Sequence, residues 1–179
     1  SKPIQFYAAT KVSNEVIAHS FSYVYKLPIT CLRFFTVYGP WGRPDMALFK
    51  FTKSILKKKP IEVFNYGNHL RDFTYIDDIV ISISKLLKVA PKKRNIPYRV
   101  LNIGRGNPVK LMKFIKLIEK NLGLKAKINY KTLQKGDVKS THSNSNKLFK
   151  LIKYKPKTDT KLGIKKFIDW YKNYYAYKK

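Results

Sequence analysis

Cysteine is all but missing from this chain of 179 residues, with Cys31 standing alone. A single cysteine excludes an internal disulfide and suits a reducing compartment, so the expected location is the cytoplasm. Carboxylates are nearly as scarce: 10 Asp and Glu stand against 38 Lys and Arg, for a formal charge of +28. Histidine occurs only at 19, 69 and 142, without the close spacing of a ligand cluster, and no metal is assigned. No apolar run approaches the roughly 18 residues of a membrane span. No stretch reads as a signal peptide, so no membrane partner is expected. The eight glycines form no Gly-x-x-Gly-x-x-Gly unit between a strand and a helix. "NIGRG" supplies only Gly104 and Gly106, and Pro108 follows. That stretch does not make the phosphate-cradling loop of a dinucleotide site.

The basic excess raises nucleic acid as a partner. Two features argue against it. Arginine, the better reader of bases and phosphates, provides six of the 38 cations. The lysines are spread along the chain rather than gathered in one stretch. Abundant Lys, Asn, Ile, Tyr and Phe read as a genome-wide bias, and a solvated lysine surface is the preferred reading. The few acids are more informative. Asp45, Asp72, Asp77, Asp78 and Asp137 fall in loop-like stretches or at element starts.

Hydrophobic residues make up 44% of the chain, enough for a sizeable core in one domain or in parts of two. Apolar spacing predicts a helix over 6–26, stopped by Leu27-Pro28. "ITCLRFFTVY", 29–38, reads as one buried strand. "GPWGRPD" is a loop, and a second helix covers 46–58. "IEVFNY" is a short strand, "RDFTYI" is extended, and Asp77 is expected to cap a helix reaching about residue 88. Beyond the polar connection "APKKRNIP", residues 98–104 form a strand and 109–122 a helix. Residues 125–131 alternate as a strand and "LQKGDVKSTHS" is a loop. Helices over 144–152 and 160–175 close the chain. Strands alternating with helices give an α/β class.

Tyr7 and Lys11, in "YAATK", share one face of the first helix. Random placement already yields about two Tyr-x-x-x-Lys pairs in such a composition. The chain holds two more, Tyr174/Lys178 and Tyr175/Lys179. Context distinguishes the first. Tyr7-x-x-x-Lys11 on a helix, then "RFFTVYGPWGRPDM" at a strand end, then "RDFTYIDD", resembles the extended short-chain dehydrogenase/reductase family. Within it the similarity is greatest to UDP-glucuronate 4-epimerases. It continues through "NIG", "LQKGDVKST" and "GIKKFIDWYKNYY", and so runs essentially the whole length. Two departures are local: Lys135 stands where the family usually has Pro, and Asn144 where it usually has Asp.

The resemblance implies a fold and a division of labour. The expected architecture is the C-terminal part of a Rossmann-type parallel sheet plus a smaller sugar-nucleotide-binding α/β domain. Residues 1–45 and 71–104 would belong to the NAD-binding domain, and 46–70 and 105–179 to the substrate domain. In the family the glycine-rich loop and a catalytic Ser or Thr precede the Tyr helix. The expectation is therefore a C-terminal half, with the N-terminal half of the same enzyme as its missing partner and a homodimer when complete. The implied activity is NAD-dependent 4-epimerisation of a UDP-hexuronate, UDP-glucuronate to UDP-galacturonate, through a 4-keto sugar, within polysaccharide biosynthesis. A sibling sugar-nucleotide dehydratase or decarboxylase, and a non-catalytic binding module, stand as alternatives.

Carried over residue by residue, the resemblance makes Tyr7 the base. A free phenol has a pKa near 10 and few anions at neutral pH, and a cation one helical turn away favours the anion. Lys11 would supply that cation and hold the cofactor ribose. Phe34 and Phe35 would lie under the nicotinamide. Thr36 and Arg43 would face the sugar, Arg43 with a fork suited to a carboxylate. Arg71 would meet the diphosphate and Asp137 the ribose hydroxyls. The backbone of residues 62–64 would face uracil. The competing readings are structural: a solvated Tyr/Lys pair, core phenylalanines, an Arg43–Asp45 loop pair, an Arg71–Asp72 pair and a turn carboxylate at 137. Asp77 and Asp78 read as capping residues.

Overall fold

The computed structural model describes residues 3–92 and 95–177. Lys178 and Lys179, and with them two of the three Tyr-x-x-x-Lys pairs, lie outside the described residues, as do residues 93 and 94 of the polar connection. Helix α1 spans Phe6–Tyr25 and leads into β1 (Ile29–Phe34) and β2 (Thr36–Tyr38). Next come α2 (Ala47–Leu56), β3 (Ile61–Val63), β4 (Leu70–Arg71), β5 (Phe73–Tyr75) and α3 (Ile76–Leu87). The chain continues through β6 (Tyr98–Ile103), β7 (Val109–Lys110), α4 (Leu111–Leu122), β8 (Ile128–Tyr130), α5 (Asn146–Ile152) and α6 (Thr160–Tyr174). The α/β class holds. Three strand pairs are parallel, β1 with β6, β2 with β5 and β3 with β8; β4 and β7 run antiparallel.

The expected single strand over 29–38 is two strands. Up to Phe34 the chain pairs with β6; from Thr36 it pairs with β5. The hand-over is made by consecutive amides. Phe35 N–H donates to the Ile103 carbonyl at 3.3 Å, and Thr36 N–H to the Asp72 carbonyl at 3.2 Å. A strand that changes partners opens a crevice at its carboxyl end, the usual ligand position in open α/β sheets. Gly39 ends β2 at φ +148, where a Cβ would meet Ile76 Cγ2 at 2.5 Å. Two other boundaries move. The strand expected over 61–66 stops at Val63 and a 3₁₀ turn follows, with Asn65 and Tyr66 at φ +49 and +50. The helix expected from 109 starts at Leu111, because Val109 and Lys110 are taken by β4.

Most helices bury one stripe. α4 turns Leu111, Phe114, Ile115, Ile118 and Leu122 inward, at the 3-and-4 spacing of an amphipathic helix. It meets α2, α6 and the β2–β5 aromatics in the larger core, where Phe73 stacks on Phe114 at 4.0 Å between centroids. A second core joins Ile79 and Leu86 of α3, Leu101 and Ile103 of β6, and Leu148 and Ile152 of α5. α1 differs. Ser22 is its one buried residue, while Phe6, Val16, Ile17, Phe21 and Val24 are exposed. Among the described residues β1 pairs with β6 alone.

Asp77 is not a cap: Tyr75 occupies that position, with no side-chain hydrogen bond. Its exposed carboxylate stands 3.9 Å from Lys166 Nζ. Asp78 is buried and ties α3 to the segment between α5 and α6. It accepts from the Tyr154 hydroxyl at 2.5 Å and from the amides of Lys157 and Thr158 at 3.2 and 2.9 Å. Burial opposes its charge, but together these donors outweigh burial and hold the carboxyl below its ordinary range. A depressed folded pKa gives stability that is present above the unfolded value and lost as pH falls through the folded one. Asp78→Asn should therefore cost about 2 kcal/mol at pH 7. It should also flatten the loss of stability below about pH 4, as followed by urea unfolding across pH.

Helix α6 reaches β2 through a glycine. A Cβ at Gly163 would lie 2.1 Å from Tyr38 Oη and 2.7 Å from Cζ. Helix propensity alone would favour Gly163→Ala by about 1 kcal/mol. The clash should reverse that sign and destabilise by about 1–3 kcal/mol. Tyr38→Phe, which removes the nearer atom, should restore part of the loss in thermal unfolding.

Candidate functional site

The hand-over at Phe35 separates two clefts and supplies residues to both. One, of about 660 Å³, is lined by Tyr7, Phe34, Phe35, Val37, Trp41, Gly42, Arg43 and Met46. The other, of about 240 Å³, is lined by Thr36, Met46, Glu62, Phe64, His69, Arg71 and Asp137 among others. Met46 borders both. Seven of the eight residues singled out in the sequence thus border these two hollows. The eighth, Lys11, lies one turn along α1 from Tyr7.

In the first cleft Tyr7 is 68% exposed and Phe34 51%. Lys11 Nζ lies 5.1 Å from the centroid of the Tyr7 ring, over its face. Phe34 ends β1 at the open side, so it is a wall of the cleft rather than core. The loop 39–45 carries Arg43 to the rim and is pinned by Trp41. That indole, at φ +61, packs on Trp170 and Tyr174 of α6 with centroids 5.2 and 4.8 Å away. Arg43 meets Asp45 through both prongs, Nε–Oδ1 at 3.0 Å and Nη2–Oδ2 at 2.5 Å. Both side chains are exposed, so the pair is open to exchange with solvent or ligand.

The second cleft is more tightly built. Arg71 donates through Nη2 to Asp137 Oδ1 at 2.9 Å and through Nη1 to the carbonyls of Leu70 and Lys139. It pairs with Asp137 and not with its neighbour Asp72. The turn 134–137 is bonded to the start of α1, where Gln5 Nε2 donates to the Gly136 carbonyl at 2.5 Å. Asp72 points the other way along the chain. Fully buried, its Oδ2 accepts from the Gly106 amide at 2.9 Å and from Ser143 through both amide and hydroxyl, at 2.9 and 2.7 Å. The Asp72 side chain thus holds both the β6–β7 turn and the loop that follows Asp137.

His69 is the residue that sequence reasoning missed. It is 5% exposed, and its Nε2 lies 3.3 Å from Asp137 Oδ2. Lone histidines carry no spacing signal, and only the alternation along β4 hints that 69 and 71 share a side. Burial lowers its pKa first and the Arg71 cation lowers it further, while Asp137 and the Phe64 carbonyl pull upward. The net depression keeps the imidazole neutral at pH 7. Among the described residues no three His, Cys, Asp or Glu gather to hold a metal, and no helix is long and apolar enough to cross a membrane. An NMR titration should find His69 ionising below the ordinary 6.5. Arg71→Gln should move that midpoint upward by removing a nearby cation; a midpoint that stays put would leave burial as the sole cause.

The sequence model of the NAD dependent epimerase/dehydratase family matches residues 1–104. Protein CapI of Staphylococcus aureus is 53% identical over 186 residues, covering 97% of this chain and 56% of CapI. A probable UDP-glucuronate 4-epimerase of Rhizobium meliloti (strain 1021) is 45% identical, covering 97% of this chain and 55% of that protein. The chain therefore spans about half the length of the curated relatives it matches. Among solved structures, UDP-glucuronic acid 4-epimerase from Bacillus cereus in complex with UDP-glucuronic acid and NAD superposes with a TM-score of 0.88 at 35% identity. The match takes in 97% of this chain and 55% of that one.

Proposed function

This chain belongs to the NAD dependent epimerase/dehydratase family, and on that premise we propose that it provides the Tyr/Lys helix and the substrate-binding part of a UDP-hexuronate 4-epimerase. The observation that carries the reading is the pair of clefts that share Met46. One is lined by a phenol and phenylalanines, the other by an arginine, a carboxylate and an imidazole. We propose residues 1–45 and 71–104 as the part facing the cofactor and 46–70 and 105–179 as the part facing the sugar nucleotide.

NAD fits the first cleft in part. An exposed Phe34 beside Tyr7 offers a flat apolar wall to a nicotinamide ring, and Lys11 offers a cation to its ribose. The dinucleotide's contribution, when bound, would be reversible hydride transfer at the sugar's C4. The chain's own residues do the rest. Tyr7 takes the proton from the C4 hydroxyl and returns it, with Lys11 supporting its anionic form. Thr36 hydrogen-bonds the sugar from the strand end.

Arg43 reads the hexuronate carboxylate, trading the Asp45 carboxylate for another of the same shape. That contact also bears on the product. Oxidation at C4 makes a β-keto acid, which loses CO₂ when its C5–C6 bond stands perpendicular to the ketone plane. A forked contact holds the carboxylate away from that alignment. Arg71 meets the diphosphate and Asp137 the ribose.

The test is a chimera in which residues 3–177 replace the matching stretch of the Bacillus cereus enzyme. It should interconvert UDP-glucuronate and UDP-galacturonate. Tyr7→Phe should lower turnover at least ~100-fold while leaving affinity for UDP nearly unchanged. A Tyr7→Phe chimera with full turnover would return Tyr7 and Lys11 to an ordinary solvated helix.

A further inference from the structure

The loop that carries Arg43 has little of its own to hold it. Gly39 and Gly42 flank Pro40-Trp41. The backbone is bonded through Gly42 N–H to the Gly39 carbonyl at 3.2 Å and Met46 N–H to the Arg43 carbonyl at 3.1 Å. Arg43 is paired with Asp45, two residues away, so that contact travels with the loop and does not fix it. Yet Trp41 stands at φ +61, a left-handed conformation that a bulky residue seldom adopts. Such strain persists where the surroundings over-determine it, and it clusters at ligand clamps. Burial does not account for it, since the indole is 71% exposed and lines the cleft that also holds Tyr7. What holds it is α6. Trp41 packs on Trp170 and Tyr174 with centroids 5.2 and 4.8 Å away, and those two rings stack on each other at 5.5 Å. The same helix braces both ends of the loop. Tyr38, before it, rests against Gly163; Phe49, after it, packs on Phe167 and Tyr171 at 6.2 and 5.2 Å.

Building on the hexuronate reading above, we propose that Trp41 is a positioning residue. By hooking the loop onto Trp170 and Tyr174, it sets where the Arg43 guanidinium stands relative to the sugar. The C-terminal helix thereby becomes a determinant of the preference for acidic over neutral sugar nucleotides. Trp41 acts through Arg43. A forked contact makes two N–H···O bonds at once, and both weaken together when the fork shifts or tilts. A loop freed at Trp41 leaves Arg43 with Asp45 as its standing partner, so an arriving carboxylate meets a cation already spent. A neutral sugar offers the fork no carboxylate and loses little by the same change.

The experiment is calorimetric titration of the 179-residue chain with UDP-glucuronate and UDP-glucose at neutral pH. The unsubstituted chain should bind UDP-glucuronate about tenfold more tightly. Trp41→Leu should compress that ratio to about twofold, and Trp41→Phe, which keeps a ring to meet Tyr174, should retain most of it. Tyr174→Leu, on α6 and bordering neither cleft, should lower the ratio as well. The double variant Trp41→Leu/Tyr174→Leu should fall no further than Trp41→Leu alone, because the two rings form one contact. Trp41 and Trp170 are the chain's two tryptophans, so the exciton couplet of their indoles in circular dichroism should weaken in Tyr174→Leu as the loop comes free. Thermal unfolding checks that each variant folds, and Tyr174→Leu decides alone if Trp41→Leu does not. An unchanged ratio in Trp41→Leu, or an equal loss of affinity for both sugars, would overturn the positioning role and leave the hexuronate reading standing. An unsubstituted chain that binds the two sugars equally, or binds neither, would overturn both.

Discussion

The Asp72 side chain and its peptide groups hold the two clefts in register. The side chain gathers the Gly106 amide and both donors of Ser143; the peptide N–H donates to Thr141 Oγ1 at 3.2 Å, and the carbonyl takes the Thr36 amide. One residue thereby fixes the start of β2, the turn after β6 and the loop after Asp137. Three donors converge on Oδ2 and replace its water, while Oδ1 is buried without a hydrogen-bond partner. The neighbours of Asp72, Arg71 and Phe73, are consequently committed, the first to the polar cleft and the second to the larger core. The residue after Arg71 is therefore as much a part of the site as Arg71 itself, although it reaches neither cleft.

The helices were legible because their spacing is set by burial against one core, and α4 and α6 show it most clearly. The partner change at Phe35 was not. Apart from Arg33, residues 29–38 are apolar, aromatic or β-branched, and nothing local marks a break. The break comes from Ile103 and Asp72, which are remote in sequence and offer carbonyls to successive amides. The turn at 64–67 was hidden for another reason: Tyr66 takes a left-handed conformation that tyrosine seldom adopts. Among the candidate residues, Arg71 and Asp137 could be named separately, but their pairing with His69 needed the bridge that sets Leu70 beside Ser140. Arg43 was legible as a loop cation next to Asp45, and the sequence could not say which carboxylate it would hold.

Two features look uneconomical until taken together. α1 leaves Val16, Ile17, Phe21 and Val24 exposed, and Tyr7 near its start is exposed as well. Among the described residues β1 likewise has one edge without a strand partner. The half of the molecule that is tightly built, around α4 and α6, is the half that bears the polar cleft. The half bearing Tyr7 and Lys11 rests on few contacts, chiefly Gln5 to Gly136 and Glu15 to Arg33 and Tyr98.

The parallel pairing of β1 with β6, β2 with β5 and β3 with β8 also governs how the chain reaches this state. Each partner is separated by at least one helix and a second element, so no strand pair can close as a local hairpin. Helices form in isolation on the fastest timescale, while sheet closure waits for long loops to be ordered. During that wait "TCLRFFTVY", apolar and carrying a single charge, is an exposed β-forming segment. Newly synthesised chains are consequently most vulnerable after the second strand has emerged and before the sixth has, and chaperone occupancy should concentrate in that interval.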